Sequence, residues 1–186
     1  MNVLKAVRTR RSIGKLKGDV GPKTIRTLVE AAIWAPNHRL TKPWTFTVVR
    51  GDARVRLGEV WASQAVASAA LEGDERKAFE EREARKTLRA PVLLFVSTRT
   101  DDDLVVAAED FAATAAAVQN VLLVAHELKL GAMWRTGGMA YSDEIKTHLG
   151  LDARDRIVGI VYLGRPDMKA PKSGPRDVGE VLRVLT

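Results

Sequence analysis

The apolar positions of this chain fall into two periods. Ile25, Leu28, Val29, Ala32 and Ile33 recur at the spacing of one buried helix face, whereas Thr45 to Val49 alternates as a strand does. Gly21-Pro22 marks the start of that helix, because proline suits the first helical position. Ahead of it, Asn2 to Val7 predicts a short helix with Val3, Leu4 and Val7 on one side. Arg50-Gly51-Asp52 ends the strand, Ala53 to Ala70 is again helical in pattern, and 72–89 becomes a charged run, EGDERKAFEEREARKTLR. Glu72 with Arg76, and Glu81 with Arg85, are spaced to support an exposed helix, which predicts a solvated face.

In the second half, Pro91 to Thr98 reads PVLLFVST, apolar and β-prone enough for a buried central strand. Asp103 predicts an N-cap for the longest helical segment, Leu104 to Leu130. There Phe111, Ala115, Val118, Leu122 and Ala125 form one stripe, which Ala108, Ala112, Val121, Val124 and Leu128 widen. Such a helix is buried on several sides, against a partner subunit or within the core of a monomer. Gly131 predicts its C-terminal cap. Ser142-Asp143-Glu144 opens a short helix containing Ile145 and Leu149, Gly150 closes it, and Arg156 to Gly164 predicts a last central strand. The tail from Arg165 to Thr186 carries Pro166, Pro171 and Pro175 among basic residues and ends on Val178, Val181, Leu182, Val184 and Leu185. An apolar end after an irregular segment predicts docking onto a surface. No repeat or internal linker argues for a second domain, so 1–186 reads as one.

Polar clusters interrupt this pattern. In Ala31 to Trp44, AAIWAPNHRLTKPW, Ala35-Pro36 stops the helix, since proline disfavours helical geometry in the residue before it. Asn37, His38, Arg39, Thr41 and Lys42 then crowd hydrogen-bond donors onto a helix-to-strand turn, where ligands often bind. The same composition fits an ordinary solvated turn. Near the start, Arg8, Arg10 and Arg11 lead to Ser12: a solvated charge cluster, or guanidinium forks and a hydroxyl set for phosphate and carbonyl oxygens. Late in the chain, Trp134-Arg135-Thr136 precedes Gly137-Gly138. The glycines allow a flat ligand close to the backbone and Arg135 places charge beside it, although a Gly-Gly pair by itself marks a turn.

Composition narrows the classes. The chain has no cysteine, which excludes disulfides, thiolate metal sites, iron–sulfur clusters and a cysteine nucleophile. Three histidines, His38, His126 and His148, stand at no metal-site spacing, and Asp101-Asp102-Asp103 lacks the alternating ligands, glycine and closing glutamate of a calcium loop. The N-terminus has no secretory apolar run and no stretch is apolar enough to span a bilayer, so a soluble, cytoplasmic protein is expected. A net charge of +7 favours anionic partners, but the basic residues are scattered among acidic ones. With only 5% aromatic residues for base stacking and no nucleic-acid-binding signature, nucleic acid remains a rival partner only.

Taken in order, RRSI at 10–13, WAPNHRLTKPW at 34–44, GAMWRTG at 131–137 and IVGIVYLGRP at 157–166 resemble the nitroreductase family of flavin enzymes, in its short-chain form. The resemblance spans nearly the whole chain. It implies an α+β fold with a mainly antiparallel central sheet flanked by helices, and a homodimer with two FMN sites at the interface. It implies cofactor contacts at Arg10, Arg11, Ser12, Trp34, His38, Trp134, Arg135 and Thr136, with Trp34 and His38 reaching across from the partner. Many relatives carry another basic residue two positions after the serine; here Gly14 stands there and Lys15 follows. In some relatives late basic residues reach the flavin phosphate, for which Lys172 and Arg176 are on offer without being assigned. Segments after the first strand often cover the active site, which makes 72–89 a mobile cover by analogy. The chemistry implied is hydride transfer from NADH or NADPH to FMN and on to an electron-poor small molecule, with no catalytic side chain required. A flavin-binding storage or sensing protein would carry the same contacts.

Overall fold

The chain is described over residues 2–186 by a computed structural model. Strands β2 (Trp44–Arg50), β3 (Val92–Thr98) and β5 (Arg156–Pro166) lie side by side, with β3 in the middle. Along the far edge of β5 run β4 (Gly131–Arg135) and the two-residue β1 (Leu16–Lys17), the latter paired with Arg165 and Pro166. Every pairing is antiparallel. The expected α+β architecture with an antiparallel sheet is therefore present.

β3 is buried along its whole length because helices cover both faces. Val92, Leu94 and Val96 face α2 (Pro22–Ala32) and α5 (Leu104–Glu127). Leu93 and Phe95 point the other way, into a layer that includes Leu57 of α3 (Ala53–Ala67) and Ile145 of α6 (Asp143–His148). Each such burial contributes roughly 1.5–3 kcal/mol. A bulge in β5 opposite Val96 and Ser97 resets its alternation, so Val158 and Val161 join the first layer while Ile157, Ile160 and Tyr162 join the second.

The helix starts follow the sequence. Asp103 accepts a hydrogen bond from the Val105 amide at 2.8 Å, and Ser142 accepts one from the Ile145 amide at 3.1 Å. The ends differ. α3 stops at Ala67, and α5 stops at Glu127, where Lys129 with φ 58° makes the left-handed turn assigned above to Gly131. Gly131 instead opens β4, where a Cβ would collide with the side chains of Leu16 and Ile13. Close packing, not helix capping, explains that glycine.

The charged run is not uniformly solvated either. It forms α4 (Gly73–Ala84) and a 3₁₀ turn (Arg85–Arg89), and Glu83 is only 3% exposed. The Trp61 indole donates to its carboxylate at 2.8 Å, and Lys86 pairs with it. Beyond Pro166 the chain carries neither helix nor strand, and Val181, Leu182, Val184 and Leu185 remain exposed. The apolar tail thus finds no docking surface on its own chain.

Candidate functional site

α1 (Val3–Thr9) packs on the C-terminal end of α5, where the Thr9 hydroxyl lies 2.8 Å from His126 Nε2. The chain then runs past the start of β4, and the Ile13 amide donates to the Ala132 carbonyl at 3.0 Å. That bond joins the RRSI and GAMWRTG motifs, far apart in sequence. Buried Ile13 leaves Ser12 exposed, with Arg10 and Arg11 half-buried beside it. Arg11 donates to the Arg8 and Arg10 carbonyls at 2.8 Å and to the Ser173 hydroxyl at 2.7 Å, which draws the tail over this corner.

Arg10 is electrostatically crowded. Burial first, then the like charges of Arg11 and Arg176, pull its pKa below the usual arginine value. Among the described residues none of the three forms an ion pair. A cavity of 270 Å³ adjoins Arg10 and Arg11, lined in part by Ile13, His126, Lys129 and Ala132. Positive charge gathered without a counter-charge attracts an anion, and guanidinium forks match the oxygens of a phosphate.

On β4 the side chains alternate. Trp134 turns toward β5 and donates from its indole to the Val158 carbonyl at 3.2 Å, while Arg135 stacks over the Tyr162 ring at 5.4 Å. Thr136, Gly137 and Gly138 follow as exposed backbone. The Trp61 ring lies so close to Gly138 that no Cβ would fit, so α3 braces this segment from behind.

The loop after α2 is strained. Arg39, Leu40 and Lys42 hold φ values of 53°, 54° and 46°, a left-handed region that costs side-chain-bearing residues of order 1 kcal/mol or more each. The surroundings enforce it. Asn37 accepts from the Lys42 amide at 3.0 Å, Thr41 donates to Asp110 at 2.6 Å, and Arg99 donates to the Thr41 carbonyl at 3.0 Å. Asp110 is buried in α5, so the loop is pinned to that helix. His38 lies in a short 3₁₀ turn and is exposed, and Trp34 is 85% exposed.

The sequence-predicted residues thus fall into two groups. Arg10, Arg11 and Ser12 sit against the strand that carries Trp134, Arg135 and Thr136. Trp34 and His38 belong elsewhere in the same chain. Their loop is anchored at Asp110 and the N-terminal group at His126, positions on α5 roughly 24 Å apart at the helical rise. Sequence reasoning missed Asp110, although a carboxylate next to Phe111 of the apolar stripe was its signal. Glu83 was lost in a run of exposed charges that gave none.

Comparisons with known proteins bear on the family and the fold. Residues 7–165 match the model of the nitroreductase family. The candidate NAD(P)H nitroreductase YfhC of Bacillus subtilis (strain 168) is 33% identical over 169 residues, covering 89% of this chain and 84% of that protein. The solved nitroreductase-like family protein from Bacillus cereus superposes with a TM-score of 0.87 at 28% identity, covering 100% of this chain and 96% of its own. A candidate nitroreductase from Desulfovibrio desulfuricans, solved in complex with FMN, gives a TM-score of 0.75 at 28% identity over 100% and 98% of the two chains.

Proposed function

Because this chain belongs to the nitroreductase family, we propose that it is an FMN-dependent oxidoreductase drawing electrons from NADH or NADPH. The observation that carries the reading is the crowding of Arg10 by Arg11 and Arg176 beside Ser12, with no carboxylate to balance them. A phosphate group relieves that repulsion, and the FMN complex of the Desulfovibrio relative supports FMN as its bearer. In this reading Arg10, Arg11 and Ser12 hold polar oxygens of the cofactor, while Trp134, Arg135 and Thr136 contribute backbone and charge along its ring edge. The chemistry supplied by bound FMN is hydride transfer, from NADH or NADPH and then to a nitroaromatic, quinone or similar electron-poor acceptor, in a ping-pong cycle. The protein's share is binding, orientation and positive charge where reduction develops negative charge.

Trp34 and His38 complete the site from a second copy of the chain. The 24 Å offset along α5, the strain spent on presenting an exposed loop, and the unpaired apolar residues Val3, Leu4 and Val7 of α1 support a homodimer. The apolar tail packs on the other subunit in that assembly, and residues 1–186 act as one FMN-binding unit. No helix among the described residues is long and apolar enough to cross a membrane. We place the protein in the cytoplasm, where reduced nicotinamides are available.

Titrating the apoprotein with FMN and following flavin fluorescence tests the reading. Saturable quenching, one flavin per subunit, is expected. A colourless protein that does not bind FMN would overturn it.

A further inference from the structure

On the face of β4 opposite Trp134 lies a cleft that shares Arg135 and Thr136 with the proposed cofactor contacts and adds Lys86 and Arg89. Lys86, Arg89 and Arg135 line it with Trp61, Tyr162 and Thr136, around a cavity of 90 Å³. Its walls are tied to the fold. The Tyr162 hydroxyl donates to the Lys86 carbonyl at 3.2 Å, Arg135 stacks on the Tyr162 ring at 5.4 Å, and the Trp61 indole donates to buried Glu83 at 2.8 Å. Glu83 is the acid of this network, and it is engaged by Lys86 and Arg82. Arg89 and Arg135 form no ion pair among the described residues. Both guanidiniums lie close enough to Tyr162 to favour its phenolate, against the burial that raises its pKa.

We propose that Lys86, Arg89 and Arg135 form a subsite for the oxyanion group, a carboxylate or a phosphate, of a molecule that exchanges electrons at this site. Two guanidiniums without ion-pair partners and the Thr136 hydroxyl supply donors of the kind such groups accept. A cleft of this size admits such a group. Arg135 and Thr136 also belong to the proposed cofactor contacts, so the inference rests on the FMN reading. The anion comes either from the donor, through a phosphate of NADH or NADPH, or from the acceptor, through a carboxylate.

Arg89→Gln tests it, because Arg89 is exposed on the 3₁₀ turn and outside the cofactor contacts. FMN affinity, read by fluorescence, stays unchanged; failure of FMN to bind the parent chain would instead count against the FMN reading. Apparent affinities of the FMN-loaded protein are then compared for NADPH, NADH, 4-nitrobenzoate and 4-nitrobenzyl alcohol. The variant weakens binding of the anionic partner about tenfold, the order of one lost charge-assisted hydrogen bond, and Arg89→Lys restores part of it. A loss on the nicotinamides identifies a donor phosphate, and NADPH losing more than NADH identifies the 2′-phosphate. A loss on 4-nitrobenzoate alone identifies an acceptor carboxylate. No loss on any anionic compound, or an equal loss on the neutral alcohol, overturns the subsite. Calorimetric titration of 4-nitrobenzoate and inorganic phosphate into parent and variant apoprotein gives a second readout if no flavin is retained. Arg89-dependent heats are expected, and their absence overturns the proposal.

Discussion

Arg10 sits where its charge is disfavoured by burial and by two like charges, so removing it separates function from stability. Arg10→Gln is expected to leave the apoprotein's melting temperature unchanged or slightly raised. FMN affinity, by contrast, falls roughly 10- to 100-fold, the worth of a hydrogen bond to a charged group. A parallel fall in melting temperature would mark Arg10 as structural. His38→Ala likewise weakens FMN retention, and unchanged affinity would remove His38 from the site. Glu83 behaves in the opposite way. Burial pushes its carboxyl up, but hydrogen bonds from Lys86 and Trp61 and the charges of Lys86 and Arg82 hold it below the ordinary glutamate value. Its stabilisation is therefore complete above the normal range near about pH 4.3 and is lost as pH falls through the depressed value. Glu83→Gln costs roughly 1–3 kcal/mol at neutral pH by thermal denaturation, and this cost shrinks under acid. Arg10 was legible because its motif is local. Glu83 was not, because its partner Trp61 comes from another helix.

At the scale of elements, pattern and structure agree wherever one period runs long enough. α2 and β2 keep a consistent face, while β3, α5 and β5 are apolar on more than one side and stand out for that reason. β4 and β1 were not legible. GAMWR is five residues with a glycine at its head, and its strand character comes from pairing with β5, not from its own sequence. β1 is shorter still and exists through its contact with Arg165 and Pro166. The expectation of a mobile cover over 72–89 meets a firm anchor at its C-terminal end, where the 3₁₀ turn is tied by Thr87 to the Arg54 carbonyl at 2.7 Å. Gly131→Ala probes the junction of β4, β1 and the RRSI segment. The added methyl meets Leu16 and Ile13, so a loss of about 1–3 kcal/mol is expected in denaturant titration. FMN affinity falls with it, since the same shift moves Ser12 away from β4. Unaltered affinity would separate the junction from the site.

At the scale of the whole molecule, the proposed homodimer draws on features that one chain leaves exposed. Trp34 and Leu185 are 85% and 98% exposed, the apolar end of the tail is exposed as well, and the two groups of candidate site residues are anchored far apart on α5. The proposed second copy would account for each, and no pattern in one sequence displays which residues it would bring. Removing residues 178–186 is expected to shift sedimentation from dimer toward monomer and to weaken FMN binding at low protein concentration. A truncated chain that still sediments as a dimer would assign the interface to α1 and α5 alone. The central claim is tested most directly by reconstituting the protein with FMN, recording its absorption spectrum, and adding NADPH and then NADH without oxygen. The account predicts a protein-bound flavin spectrum that bleaches with at least one donor and recovers when a nitroaromatic or quinone is added. A bound flavin that neither donor can bleach would contradict the reductase reading and leave a storage or sensing role.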